Sequence, residues 1–95
     1  MKNNIIISEH ATIRFKQRTN INTNKDMYKK AISALSTGVL FTDKTILYSY
    51  FNNIIYIFGF SEQENLYCLI TLYKPDNQWD KFLLDMILHK GRKTA

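Results

Sequence analysis

Three side chains capable of oxyanion and proton chemistry recur at helical spacing near the start of the chain. His10, Arg14 and Arg18 stand at i, i+4 and i+8. Projected at about 100° per residue, the segment orders its side chains around the axis as Ile13, Gln17, His10, Arg14, Arg18, Ala11 and Phe15. Thr12, Lys16 and Thr19 form the outward arc. The polar stripe is therefore flanked on both sides by apolar residues, in the strip that an amphipathic helix ordinarily fills with Leu or Val. A planar guanidinium fork binds phosphate or carboxylate bidentately, and a neutral imidazole can serve as a general base. The same spacing also suits arginines that pair with acids of the last helix, or that lie along the helix edge with their heads in water.

A second group lies near the end of the longest apolar run. Thr71 and Tyr73 alternate on one strand face, with Lys74 just beyond. Hydroxyl, phenol and ammonium groups at a strand end can touch phosphate oxygens or a transition state. The simpler reading is ordinary sheet chemistry, since Thr and Tyr are good strand residues on any half-exposed face. Lys16, Lys74, Lys90 and Arg92 are the cations placed to meet a nucleic-acid backbone. Lys16 equally suits a solvated helix face, and His89, Lys90 and Arg92 equally suit a helix C-terminus. Tyr48, Tyr50, Tyr56 and Tyr73 offer rings for base stacking, or half-buried sheet packing.

Local patterns say which elements hold these groups. Ile5 to Ile7 reads as an edge strand. Ser8 is an N-cap and Glu9 a favourable first-turn charge for a helix to about Thr19. Thr23 and Asp26 open a second helix, to about Thr37, with Met27, Ala31, Ala34 and Leu35 as its apolar stripe. Gly38 is placed as its C′ residue. The period then changes to two. Thr45 to Phe51, Ile54 to Phe60 and Leu66 to Lys74 read as three antiparallel strands, the first two joined by an Asn52-Asn53 turn. The middle strand, apolar on both faces, is expected to be central. In the third, Tyr67, Leu69, Thr71 and Tyr73 are expected on one face and Cys68, Ile70 and Leu72 on the other. Pro75 ends it. A helix from about Trp79 to His89 places Phe82, Leu83, Met86 and Ile87 on one face, and Lys90 to Ala95 reads as a frayed basic tail. The prediction is one α+β domain over residues 1–95, with a short N-terminal strand, two helices, a three-stranded antiparallel sheet and a C-terminal helix.

Charge narrows the partners. Of 13 Lys and Arg, seven lie in residues 1–30 against two acids, giving +5 there. Residues 31–73 carry one against three, and residues 74–95 five against three. Basic ends around a nearly uncharged middle point to an anionic partner, nucleic acid or an acidic protein, or to a surface kept soluble by lysine. The single cysteine, Cys68, leaves no disulfide framework and no Cys/His zinc pattern, so neither metal nor cofactor is expected. With no long apolar h-region and no apolar run of membrane length, no membrane partner is expected and the cytoplasm is the expected compartment.

The segment Ser8-Glu9-His10-Ala11-Thr12-Ile13-Arg14-Phe15-Lys16-Gln17-Arg18 resembles the S-x-H-A-x-x-R-x-x-x-R opening of a group of small bacterial and phage proteins. The order of elements resembles RelE/ParE-type toxins and the wider barnase–colicin–RelE ribonuclease fold. The resemblance implies a metal-independent endoribonuclease acting in toxin–antitoxin or phage–host conflict. His10, Arg14, Arg18, Thr71 and Tyr73 would be its active-site residues. It implies RNA or ribosome-associated RNA as substrate and an acidic protein, antitoxin or host target, as a further partner. The alternatives are a non-catalytic phage- or plasmid-encoded inhibitor or regulator, and a plain RNA-binding module.

Overall fold

Helix starts follow the expected caps. The structure is a computed structural model that describes residues 4–93. Strand β1 (Ile5–Ile7) leads into α1 (Glu9–Arg18), where Ser8 Oγ accepts the Ala11 N–H at 3.0 Å. Helix α2 (Asn24–Thr37) begins with Thr23 Oγ1 accepting the Asp26 N–H at 3.2 Å. Four strands follow: β2 (Val39–Asp43), β3 (Ile46–Phe51), β4 (Ile54–Ser61) and β5 (Leu66–Tyr73). Helix α3 (Gln78–Lys90) and a two-residue strand, β6 (Arg92–Lys93), come last. The α+β class is as expected.

The sheet is larger than the expected three strands. Its order is β1-β5-β4-β3-β2-β6, with β1 parallel to β5 and every other pair antiparallel. Two strands escaped the sequence reading for physical reasons. Strand β2 follows α2 with only Gly38 between them, and it turns into β3 through Lys44 at φ 58°. No Gly or Asn announces that turn. Strand β6 lies where a frayed tail was expected. Its two residues pair with Val39 and Leu40 of β2, and residues 94–95 lie outside the described residues. The β3–β4 hairpin does carry its signal, with Asn52 at φ 52° and Asn53 at φ 65°.

Two layers of core lie on the two faces of the sheet. On one face α1 and α2 bury Ala11, Phe15, Met27, Ala31, Ala34 and Leu35 against Leu47, Tyr56, Phe58, Leu69 and Leu72. Ser49 is fully buried there and donates its hydroxyl to the Ala34 carbonyl at 2.6 Å, closing the end of α2 onto β3. Gly38 is extended, at φ −75°, and not the left-handed C′ residue expected. Its requirement is space, because a Cβ would sit 2.6 Å from the Ala34 carbonyl and collide with Ser49 Oγ. On the other face α3 packs over β2 and β3, and Ile87 and Ile55 are fully buried. Phe82, expected on the apolar face of α3, is instead 66% exposed.

A β-bulge re-aims β5. Ile57 pairs with Thr71 and its neighbour Phe58 with Leu69, so Ile70 is the extra residue. The bulge shifts the alternation by one. Leu69 and Leu72 both face α1, while Thr71 and Tyr73 turn to the face of α3. The expected grouping of Leu69 with Thr71 and Tyr73 is thereby corrected. The pair Thr71 and Tyr73 stays together.

Candidate functional site

The free edge of β5 is the origin of the site. Strand β1 stops at Ile7, opposite Leu69, and leaves the later β5 carbonyls without a strand partner. An unpaired strand edge must find other donors. Ser8 N–H donates to the Leu69 carbonyl at 3.1 Å and Ser8 Oγ to the Ile70 carbonyl at 3.0 Å. Arg18, on the last turn of α1, donates Nη1–H to the Leu72 carbonyl at 2.8 Å. This contact holds the guanidinium at the end of β5, and the rest of its fork makes no further hydrogen bond among the described residues.

Beside Arg18 lies an open cleft of about 560 Å³ lined by Gln17, Arg18, Tyr73, Lys74, Asp76, Asn77 and Asp80. Three elements converge on it: the end of α1, the end of β5 and the start of α3. Asn77 caps α3, accepting the Asp80 N–H on Oδ1 at 2.9 Å. Two cations, Arg18 and Lys74, face two carboxylates, Asp76 and Asp80. Burial pushes the Tyr73 phenol above its ordinary value of 10.0, the charges of Asp80 and Tyr48 add to the rise, and Arg18 opposes it. Tyr73 therefore holds its proton at neutral pH, in a cleft it shares with a guanidinium and a carboxylate that both act on it.

The helical stripe does not converge as a cradle. His10 is exposed and Arg14 half-buried, and neither lines the cleft. They form a chain along the surface of α1 instead. Arg14 Nε–H donates to His10 Nε2 at 3.2 Å. Arg14 Nη1–H donates to Gln17 Oε1 at 2.7 Å, and Gln17 reaches the cleft. Thr71 stands two residues before Tyr73 on the same face, half-buried, in a cross-strand row with Ile57 and Tyr48.

The backbone-binding cations disperse. Lys74 is in the cleft. Lys16 is exposed on the outward side of α1, and Lys90 is exposed at the end of α3. Arg92 lies on β6, four strands from β5, about 19 Å away at ~4.8 Å per strand. Of the four tyrosines considered for stacking, Tyr56 is only 1% exposed, enclosed by Phe15 and Phe58, which removes it from any surface role. Among the described residues no three His, Cys, Asp or Glu side chains gather into a metal-binding group, and no helix is long and apolar enough to cross a membrane.

Sequence reasoning missed Gln17, Asp76, Asn77 and Asp80. The signal for the last three was present. Pro75 ends β5, and Asn77 with Asp80 has the N-cap-to-N3 spacing of a capping box. That places a helix N-terminus directly after Tyr73 and Lys74. Comparison with protein-family models, with curated proteins and with solved structures finds no match to this chain.

Proposed function

We propose that the protein acts on RNA as a metal-independent endoribonuclease of the RelE-like toxin type, in toxin–antitoxin or phage–host conflict, with the cleft beside Arg18 as the place of the scissile phosphate. The observation that carries this reading is the meeting of Arg18, Tyr73 and Lys74, from two separate elements, in one open cleft with Asp80. The ribose 2′-hydroxyl attacks the adjacent phosphorus and loses its proton to the Asp80 carboxylate. Arg18 and Lys74 stabilise the charge on the phosphorane oxygens. The bond from phosphorus to the 5′-oxygen breaks, and the protonated Tyr73 phenol supplies the proton to that oxygen. The products are a 2′,3′-cyclic phosphate and a 5′-hydroxyl. Return of the proton from Asp80 to Tyr73 resets the site. His10, outside the cleft, acts on this scheme only through Arg14 and Gln17, as a positioning residue.

The test is incubation of the purified full chain with single-stranded RNA in EDTA, beside a DNA strand of the same sequence. Cleavage of RNA alone, lost in Asp80→Asn and retained in His10→Gln, is the expected result. Intact RNA, free or ribosome-bound, together with no growth defect on expression in bacteria, removes the enzyme reading. A second reading, a non-catalytic inhibitor that binds a host or defence protein, is favoured by one observation: Trp79 is 81% and Phe82 66% exposed on α3.

A further inference from the structure

The first turn of α3 carries an exposed aromatic face that the cleft chemistry does not use. Trp79 and Phe82 stand at i and i+3 and, with Gln78, line a hollow of about 480 Å³. A soluble domain gains nothing from leaving an indole 81% exposed. The feature is not isolated. Asn77 and Asp80, its neighbours on the same turn, line the cleft that holds Arg18 and Lys74. An aromatic platform therefore adjoins a cleft that holds two cations and two carboxylates, with Lys81 exposed on the next position. Proteins that hold single strands combine these two parts, a cationic track for the backbone and a ring on which an unpaired base stacks. The two carboxylates of the cleft repel a phosphate, which is drawn instead to Arg18 and Lys74. Trp79 directly precedes Asp80 of that cleft, so the bases next to a phosphate held there come within reach of the indole.

We propose that Trp79 is a base-stacking platform for an unpaired nucleotide of a single strand whose phosphate lies beside Arg18 and Lys74, with Phe82 as the floor of the hollow. This rests on the reading of the cleft as an RNA site and adds the feature that selects unpaired over paired strands. A duplex presents no free base face to the indole. Stacking tolerates any base, so the site takes single strands with little sequence preference, and purines, with their larger faces, bind more tightly than pyrimidines.

The chain holds one tryptophan, so emission excited beyond the tyrosine absorption band reports this residue alone. The probe is a 2′-O-methyl oligonucleotide, which cannot be cleaved by its own hydroxyl, together with the same strand as a duplex and an abasic strand of equal length. The expected result is saturable quenching of Trp79 by the single strand and not by the abasic one. Trp79→Ala is expected to weaken binding of the single strand, read by polarisation of a labelled probe, by about 5- to 150-fold, the range of one lost base stack. Trp79→Phe is expected to restore most of it, and abasic binding should be equal in all three proteins. At 81% exposure the substitutions leave the fold intact, which a melt verifies. Equal binding of the single strand by wild type and Trp79→Ala overturns the stacking role while leaving the cleft reading standing. No binding of any strand by the wild type overturns both. A wild-type dimer in sedimentation that Trp79→Ala converts to monomer, without any quenching, assigns the face to a second copy and overturns the proposal.

Discussion

Alkaline pH should destabilise this fold in part through Tyr56, by an amount that a single substitution isolates. Tyr56 lies in the centre of β4, 1% exposed, with its ring 6.2 Å from Phe15 and 6.5 Å from Phe58. Burial there pushes its phenol from 10.0 up to about 12. The unfolded chain ionises Tyr56 first, so between these values the folded state binds more protons and stability must fall as pH rises. The contribution is fully present below about pH 10 and is lost as pH passes through the folded value. The ceiling is two pH units at about 1.36 kcal/mol each, roughly 3 kcal/mol, and by pH 11 about half of it is gone. Urea melts of wild type and Tyr56→Phe at pH 8, 10 and 11 measure this directly. Phe keeps the ring contacts and cannot ionise, and every other titrating group cancels in the difference. The wild type should lose roughly 1 kcal/mol more than the variant between pH 8 and 11. Parallel pH profiles would refute the placement of Tyr56 in the core.

Leu35→Ala should cost about 2–5 kcal/mol in urea melts, because it empties a site walled by α2 and the sheet; a loss under about 1 kcal/mol would mean that α2 turns another face inward. Ser49→Ala removes the buried donor to the Ala34 carbonyl, which keeps the Gly38 N–H at 3.2 Å, so a moderate loss of about 1 kcal/mol is expected by the same measurement. Arg18→Ala should cost about 0.5–1.5 kcal/mol through the orphaned Leu72 carbonyl, whereas Arg14→Ala, whose hydrogen bonds among the described residues go to side chains of its own helix, should melt within about 0.5 kcal/mol of wild type.

The sequence reading succeeded where local chemistry decides the outcome. Ser8 and Thr23 cap as expected because a side-chain oxygen and the orphan N–H groups of a first turn are neighbours in the chain. Met27, Ala31, Ala34 and Leu35 fell on one buried face because their spacing matches the helical period. It fell short where distant segments decide. Strand β2 is a strand because β3 and β6 bracket it, and its turn uses a lysine in a conformation that composition does not advertise. The bulge at Ile70 follows from the register of β4 against β5 and has no local signature, yet it sets which way Thr71 and Tyr73 face. The stripe of His10, Arg14 and Arg18 was visible from spacing. Its division into a surface chain and one edge-binding arginine was not, because that depends on where β1 stops.

The most direct measurement is the chemistry of the RNA ends. A single-stranded RNA is digested in EDTA by wild type and by Arg18→Ala, at matched folded concentration, and the fragments are weighed by mass spectrometry. The wild type is expected to yield 2′,3′-cyclic phosphate and 5′-hydroxyl ends, and the variant to release the same ends at least about a hundredfold more slowly, the scale of losing a main donor to the phosphorane. Intact RNA with the wild type, or equal rates from the two proteins, would contradict it.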